Sequence, residues 1–246
     1  MNADPAVQLQ LLDLAQHDRH LGQLDHKRAH LPEAQEVAEL GERLDRVSAE
    51  LIAAETIVTD LAREQARADA DVDQVRERSR KDHELLDSGS INDPKQLQNL
   101  QHELQSLARR QRELEDIELE VMERAEGAAA AVRVLAENKA QLEADLADAE
   151  QRQASAWAAI DAERAGQQSE RDALATALPS DLLGLYEKIR ADHGVGAARF
   201  HRGRCEGCQI ELPPTEREAL QQAAPDAVIR CEECRCILIR TGESGL

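Results

Sequence analysis

The sequence predicts a mainly α fold: a long antiparallel coiled-coil hairpin followed by a small β domain closed by four cysteines. Three observations predict it. Apolar residues recur in alternating steps of three and four through most of the first 160 positions. A cluster of turn formers interrupts that repeat near 87–94. Close to the C-terminus, Cys205, Cys208, Cys231 and Cys234 form two C-x-x-C pairs separated by 22 residues. The expected division is 1–176 for the hairpin and 177–246 for a connecting helix and the cysteine domain.

Composition argues for long helices over a broad core. The chain has 246 residues but one Trp, one Tyr and one Phe, whereas a thick core draws much of its buried area from aromatics. Ala, Glu, Leu, Arg and Gln dominate before residue 179, a long-helix composition. The net charge of −19 repels nucleic acid and anionic membrane as a whole. The acidity is uneven: from Gly194 onward, seven Arg face eight Asp and Glu. Residues 76–112 carry eight basic against six acidic side chains, read as solvated helix flanks. No apolar run approaches membrane-spanning length, and Met1–Ala15 lacks a signal-peptide core. Thiols in metal-ligand spacing suit a reducing compartment, so the expected location is the cytoplasm.

The first arm carries the seam Val37, Leu40, Leu44, Val47, Leu51, Ala54, Val58, Leu61, Gln65, Ala68, Val72, Val75, Ser79, Asp82 and Leu86, twelve of fifteen positions apolar. A 3.5-residue repeat held this long imposes a left-handed coiled coil. The seam stops at Asp87-Ser88-Gly89-Ser90-Ile91-Asn92-Asp93-Pro94, where Gly89 permits positive φ, Asp93 offers a cap and Pro94 suits the first helical position. A second seam runs from Leu97 through Leu104, Leu114, Val121, Leu135, Leu142 and Ala149 to Ile160. Two seams joined by a short turn fold back antiparallel, pairing residues whose numbers sum to about 181. That register places Gln65 near Asp116 and Gln111 near Ala70. It also places a shorter stripe (Val7, Leu11, Leu14, Asp18, Leu21, Leu24) beside 150–176, set off from the first arm by Pro32. A rod about 80 residues long would measure roughly 120 Å.

Pro179-Ser180-Asp181 ends the second arm. Leu182, Leu185, Tyr186 and Ile189 then give one apolar helical face that Gly194 and Gly196 terminate. Trp157 is expected to pack on this short helix. The segments Ile210–Leu212 and Ile237–Ile239 read as short strands leaving each cysteine knuckle, the first ended by Pro213-Pro214. Two C-x-x-C knuckles aim four thiolates at one point, the donor set of a structural Zn2+ with no position left for water. The expectation is one structural zinc on Cys205, Cys208, Cys231 and Cys234 in a small β zinc ribbon, with Cys236 a bystander. A domain this small depends on the metal to fold.

The chain resembles the bacterial C4-type zinc-ribbon proteins with an N-terminal coiled-coil hairpin. The resemblance spans essentially the whole chain. It rests on Asn92-Asp93-Pro94-Lys95-Gln96-Leu97, Leu100-Gln101-His102-Glu103-Leu104, Leu185-Tyr186-Glu187-Lys188-Ile189-Arg190, Cys205-Glu206-Gly207-Cys208 through Pro214, and Cys231-Glu232-Glu233-Cys234 with Ile237-Leu238. It implies the same four zinc ligands. It further implies chaperone or adaptor activity of the kind found in flagellar or secretion regulators, with an alternative sigma factor or RNA among the partners. One departure stands out: the family's Gly-Arg after the last ligand is Arg235-Cys236 here, so that turn lacks the residue that relaxes it.

Other patterns point away from chemistry. His26 and His30 lie four apart without a third ligand, and His83 and His102 flank the hairpin turn without closing a site. No nucleophile, base and orienting group form a recognisable set, and no phosphate loop appears. The expected function is a non-enzymatic adaptor or chaperone for protein partners, with neither membrane nor small-molecule substrate. The alternative is an RNA- or DNA-binding regulator, for which Arg199, His201, Arg202, Arg204, Arg230, Arg235 and Arg240 would supply phosphate contacts if the fold gathers them. Single-strand recognition also wants aromatic platforms, and this segment has only Phe200.

Overall fold

A computed structural model describes residues 1–245. Helix α1 (Pro5–Ala29) is capped by the Asp4 side chain, which accepts from the Ala6 amide at 2.8 Å. Helix α2 (Pro32–Asp87) begins at the expected proline, and α3 (Pro94–Ala177) runs 84 residues without interruption. Between them Gly89 takes φ 63°, and Asp93 caps α3 by accepting from the Lys95 amide at 3.0 Å. Helix α4 (Ser180–His193) ends on Gly194 in the left-handed conformation at φ 84°. Strands β1 (Ala197–His201) and β2 (Arg204–Cys205), helix α5 (Pro214–Gln222), and strands β3 (Ile229–Arg230) and β4 (Ile237–Ile239) complete the chain. No helix among the described residues is long and apolar enough to cross a membrane.

The chain divides into two compact units, Gln35–Glu150 and Met1–Ala34 with Gln151–Leu246. The sequence-based boundary at 176/177 follows the end of a helix. The observed division instead groups α1 and the last part of α3 with the cysteine domain.

The hairpin unit is held by the two expected seams, and no seam position named above is exposed. Leu40, Leu142 and Ala149 form one of its buried clusters, flanked by Val37, Leu44, Val47 and Leu146. Each fully buried Leu contributes about 2 kcal/mol, so the seam stabilises the pair through many modest increments. Arg78 meets Glu103 on the expected register. Farther from the turn, Arg76 reaches Glu115 at 2.7 Å and Arg124 reaches Glu64 at 3.0 Å. These diagonals lie seven or more residues beyond the 181 rule. Long side chains reach along the helix pair. Gln111 donates to Glu115 of its own helix at 2.8 Å and fixes no register.

In the ribbon unit, a four-stranded sheet has the order β2-β1-β4-β3, with β1 parallel to β4 and antiparallel to β2. Arg202 (φ 48°) and Gly203 (φ 85°) form the two-residue turn from β1 to β2, the double positive-φ geometry that matches strand twist. Strand β4 is the expected one, but Ile210–Leu212 contributes only an isolated bridge, Glu211 to Arg204. Strand β1 and helix α5 had no sequence signal strong enough to find them: β1 mixes Ala, Arg and His, and α5 starts on the prolines read as a stop.

One side of this sheet packs on the helices. Leu11 and Leu14 of α1, Leu182, Tyr186 and Ile189 of α4, and Ala197, Ile237 and Ile239 of the sheet share one core. Gly196 lies against the Tyr186 ring, where a Cβ would come within 2.4 Å of Cε2. Trp157 does not pack on α4. It joins Leu24, Leu31 and Ile160, its ring under the Arg28 guanidinium and its Nε1 donating to the Arg28 carbonyl at 3.4 Å. The physical reason is position along α3: Trp157 lies five turns before the helix ends, level with the end of α1.

Candidate metal centre

The two knuckles are built alike. The Cys205 amide donates to the Ile210 carbonyl and the Cys231 amide to the Cys236 carbonyl, both at 3.0 Å. Inside each loop, the residue after the second cysteine turns its amide back to the first: Gln209 to Cys205 at 2.8 Å and Arg235 to Cys231 at 3.0 Å. Both residues have φ 63°, so the sequence departure at Arg235 does place a side chain where glycine is favoured.

These turns bring the four predicted cysteines together, with sulfurs all within 4.8 Å of one another. Cys205 and Cys234 are 3.7 Å apart, Cys208 and Cys231 3.9 Å. A tetrahedron with 2.3 Å Zn–S bonds has edges of about 3.8 Å, so the donor set fits Zn2+. No oxygen or nitrogen ligand joins the group among the described residues. Such an all-thiolate shell closes a structural site. The core of Ala198, Phe200, Leu212, Leu220 and Leu238 packs around the buried Cys205 and Cys231, while Cys208 and Cys234 are partly exposed.

Cys236 lies closer than a bystander should. Its side chain is fully buried, with Sγ 3.3 Å from that of Cys234 and 3.5 Å from that of Cys205. Without metal, the Cys236 thiol and the Gly207 amide hydrogen-bond to Cys205 and help draw its pKa down to about 4. The hydrogen bond to Cys205, together with burial, holds the Cys236 proton in place. Burial raises Cys208, Cys231 and Cys234 above the ordinary thiol range.

The seven basic candidates do not share one role. Arg240 donates to the carbonyls of Leu220, Ala223, Ala224, Pro225 and Ala227; its guanidinium closes the end of α5 and is not offered to a phosphate. Arg199 lies 3.5 Å and His201 4.0 Å from Glu243. Arg202, Arg204, Arg230 and Arg235 are exposed. Arg204 and Arg230 sit on opposite edge strands, about 14 Å apart at ordinary strand spacing. Acidic residues occupy both knuckles, Glu206 in the first and Glu232 and Glu233 in the second. Burial and those last two carboxylates raise the pKa of Glu216.

A buried polar cluster was missed by the sequence reading. Asp18, with 8% side-chain exposure, accepts from Arg171 Nε at 2.7 Å, Tyr186 Oη at 2.6 Å and Arg190 at 3.1 Å. Glu187 takes the other side of Arg171 and Arg190. This network ties α1, α3 and α4 together under the sheet. Its one visible signal was an aspartate in an otherwise apolar stripe. The paired histidines are engaged locally: His26 and His30 stack at 4.1 Å, and His30 Nδ1 contacts the His26 carbonyl.

The model of the CT398-like coiled coil hairpin domain matches residues 14–194, and that of the C4-type zinc ribbon domain matches 204–238. The Mycobacterium tuberculosis protein Rv2229c is 44% identical over 246 residues, 98% of each chain. The Mycobacterium leprae protein ML1638 is 28% identical over 222 residues, 89% of this chain and 94% of its own. A solved structure from Mycobacterium smegmatis superposes with a TM-score of 0.87 at 34% identity, covering 98% of this chain and all of that one. CT398 from Chlamydia trachomatis shares the fold, with a TM-score of 0.70 at 16% identity over 96% of this chain and 98% of its own.

Proposed function

We propose, on the premise that this chain belongs to the CT398-like coiled coil hairpin family with a C4-type zinc ribbon, that it is a non-enzymatic adaptor. One zinc ion would hold the ribbon, and the helical hairpin would present its outer surface to a protein partner. The observation that carries this reading is the closed donor set. Four cysteines would complete the tetrahedron and leave a bound metal no position for a substrate. What the chain then offers is surface. On the hairpin unit, Ile52, Ile57, Leu119 and Val134 are each more than half exposed, apolar helix positions that a partner helix or groove could cover.

Dispersal of the arginines and the acidic knuckles weigh against the nucleic-acid alternative. The test places a photo-crosslinking residue at Ile52 or Leu119, and separately at Arg204, in the zinc-loaded full chain. Discrete protein adducts from the hairpin positions that survive nuclease support the adaptor. Adducts confined to Arg204, lost on nuclease treatment and weakened steeply by salt, would overturn it in favour of nucleic-acid binding.

A further inference from the structure

We propose that Cys236 is a reserve ligand of the metal centre, able to take the fourth coordination position when Cys234 is lost. Three observations carry the inference, and none depends on which partner the chain binds. First, the Cys236 sulfur lies at 3.5 Å from Cys205 and 3.3 Å from Cys234, close to the spacing that two ligands of one zinc ion adopt. It therefore borders the edge of the tetrahedron that those two cysteines define. Second, the matching backbone positions of the two knuckles are used differently. Ile210 bonds the first knuckle as Cys236 bonds the second, yet Ile210 is 46% exposed while Cys236 is fully buried against the metal ligands. The second knuckle thus directs a donor inward where the first sends an alkyl group outward. Third, the facing residue is Gly207, where a Cβ would lie 3.2 Å from Cys236 Sγ. The absence of a side chain there leaves room for the sulfur to turn.

The exchange is conservative. Rotation between staggered positions about Cα–Cβ moves a sulfur by about 3 Å, comparable to the separation from Cys234. With Cys234 lost, Cys236 would bind the ion in its place and release its own proton to solvent. Four thiolates remain on the metal and the net charge of the site is unchanged. Cys208 and Cys234 are the partly exposed ligands and Cys236 is buried, so an electrophile that takes Cys234 would leave the reserve thiol untouched.

The test uses Co2+ as a spectroscopic probe in the full chain and compares Cys234→Ala, Cys208→Ala, Cys236→Ala and the double variant Cys234→Ala/Cys236→Ala. The tetrahedral d–d bands and the sulfur-to-cobalt charge-transfer intensity report how many thiolates bind. Cys234→Ala should keep the four-thiolate spectrum and lose at most about tenfold in affinity, whereas Cys208→Ala and the double variant should lose one thiolate and about a hundredfold or more. Cys236→Ala alone should keep four thiolates. A three-thiolate spectrum or no metal in Cys234→Ala, or identical behaviour of Cys234→Ala and the double variant, would overturn the proposal. So would loss of metal by Cys236→Ala alone.

Discussion

Arg235 offers a sharp test of how the ribbon is held. Its backbone sits at φ 63°, where an L side chain costs roughly 1–2 kcal/mol because Cβ crowds the carbonyl. Glycine removes that strain, and its extra freedom in the unfolded chain takes back about 0.5–1 kcal/mol. Among the described residues no hydrogen bond or ion pair engages the exposed Arg235 side chain, so Arg235→Gly gives up no such contact. The net gain is about 0.5–1 kcal/mol. Because folding of so small a domain and metal binding form one equilibrium, that gain should appear as about two- to fivefold tighter Zn2+ binding. Gln209 is the internal control. It has the same φ, but its Nε2 donates to the Glu206 carbonyl at 2.8 Å, a bond worth about 0.5–1 kcal/mol. Gln209→Gly should therefore come out near neutral. Zinc affinity measured by competition with a chromophoric chelator reads both. If Arg235→Gly binds no tighter, or both variants tighten equally, the strain argument is wrong.

Three further outcomes follow from the same geometry. Asp18→Ala leaves Arg171 buried without its main partner and should cost about 3–5 kcal/mol in urea unfolding followed by Trp157 fluorescence; a loss under about 1 kcal/mol would mean that the network behaves as a surface cluster. Gly196→Ala drives a methyl group into the buried Tyr186 ring and should cost about 1–3 kcal/mol. Gly184→Ala, on an exposed helical site with nothing within 4 Å, should instead gain about 0.5–1 kcal/mol. Because the ribbon folds only with its metal, the reference state for zinc binding is the unfolded chain, whose four ligand cysteines are ordinary protonated thiols at neutral pH. Binding should therefore expel about four protons, so affinity falls by up to about ten-thousandfold per unit as pH drops below the thiol range. Calorimetry in buffers of different ionisation enthalpy counts those protons; a count near three would mean that one thiolate persists in a ribbon that stays folded without metal.

The hairpin and the four ligands were legible because their signals are local. A 3.5-residue repeat declares a buried stripe from the stripe itself, and Cys205-x-x-Cys208 and Cys231-x-x-Cys234 declare a common point from the reach of two tight turns. Asp93-Pro94 and Gly194 marked helix ends for the same reason: each acts on its own backbone. Even the anomaly at Arg235 could be read before its φ was known.

What only the tertiary structure decided involves partners distant in sequence. Asp18 looked like a defect in an apolar stripe until α3 and α4 brought Arg171, Tyr186 and Arg190 to it. Arg240 belonged on paper to a basic surface, yet the end of α5 and the turn after it presented five carbonyls to which its guanidinium donates. Cys236 and Ile210 hold matching backbone positions in the two knuckles, and only the fold turned one side chain into the core and left the other exposed. Trp157 went to Arg28 because the match between helices depends on both surfaces, and no periodicity within one helix records the other. Local steric preferences therefore determined the elements and the metal donors, whereas the assignment of each polar side chain to a buried partner or to solvent waited on the surfaces that met.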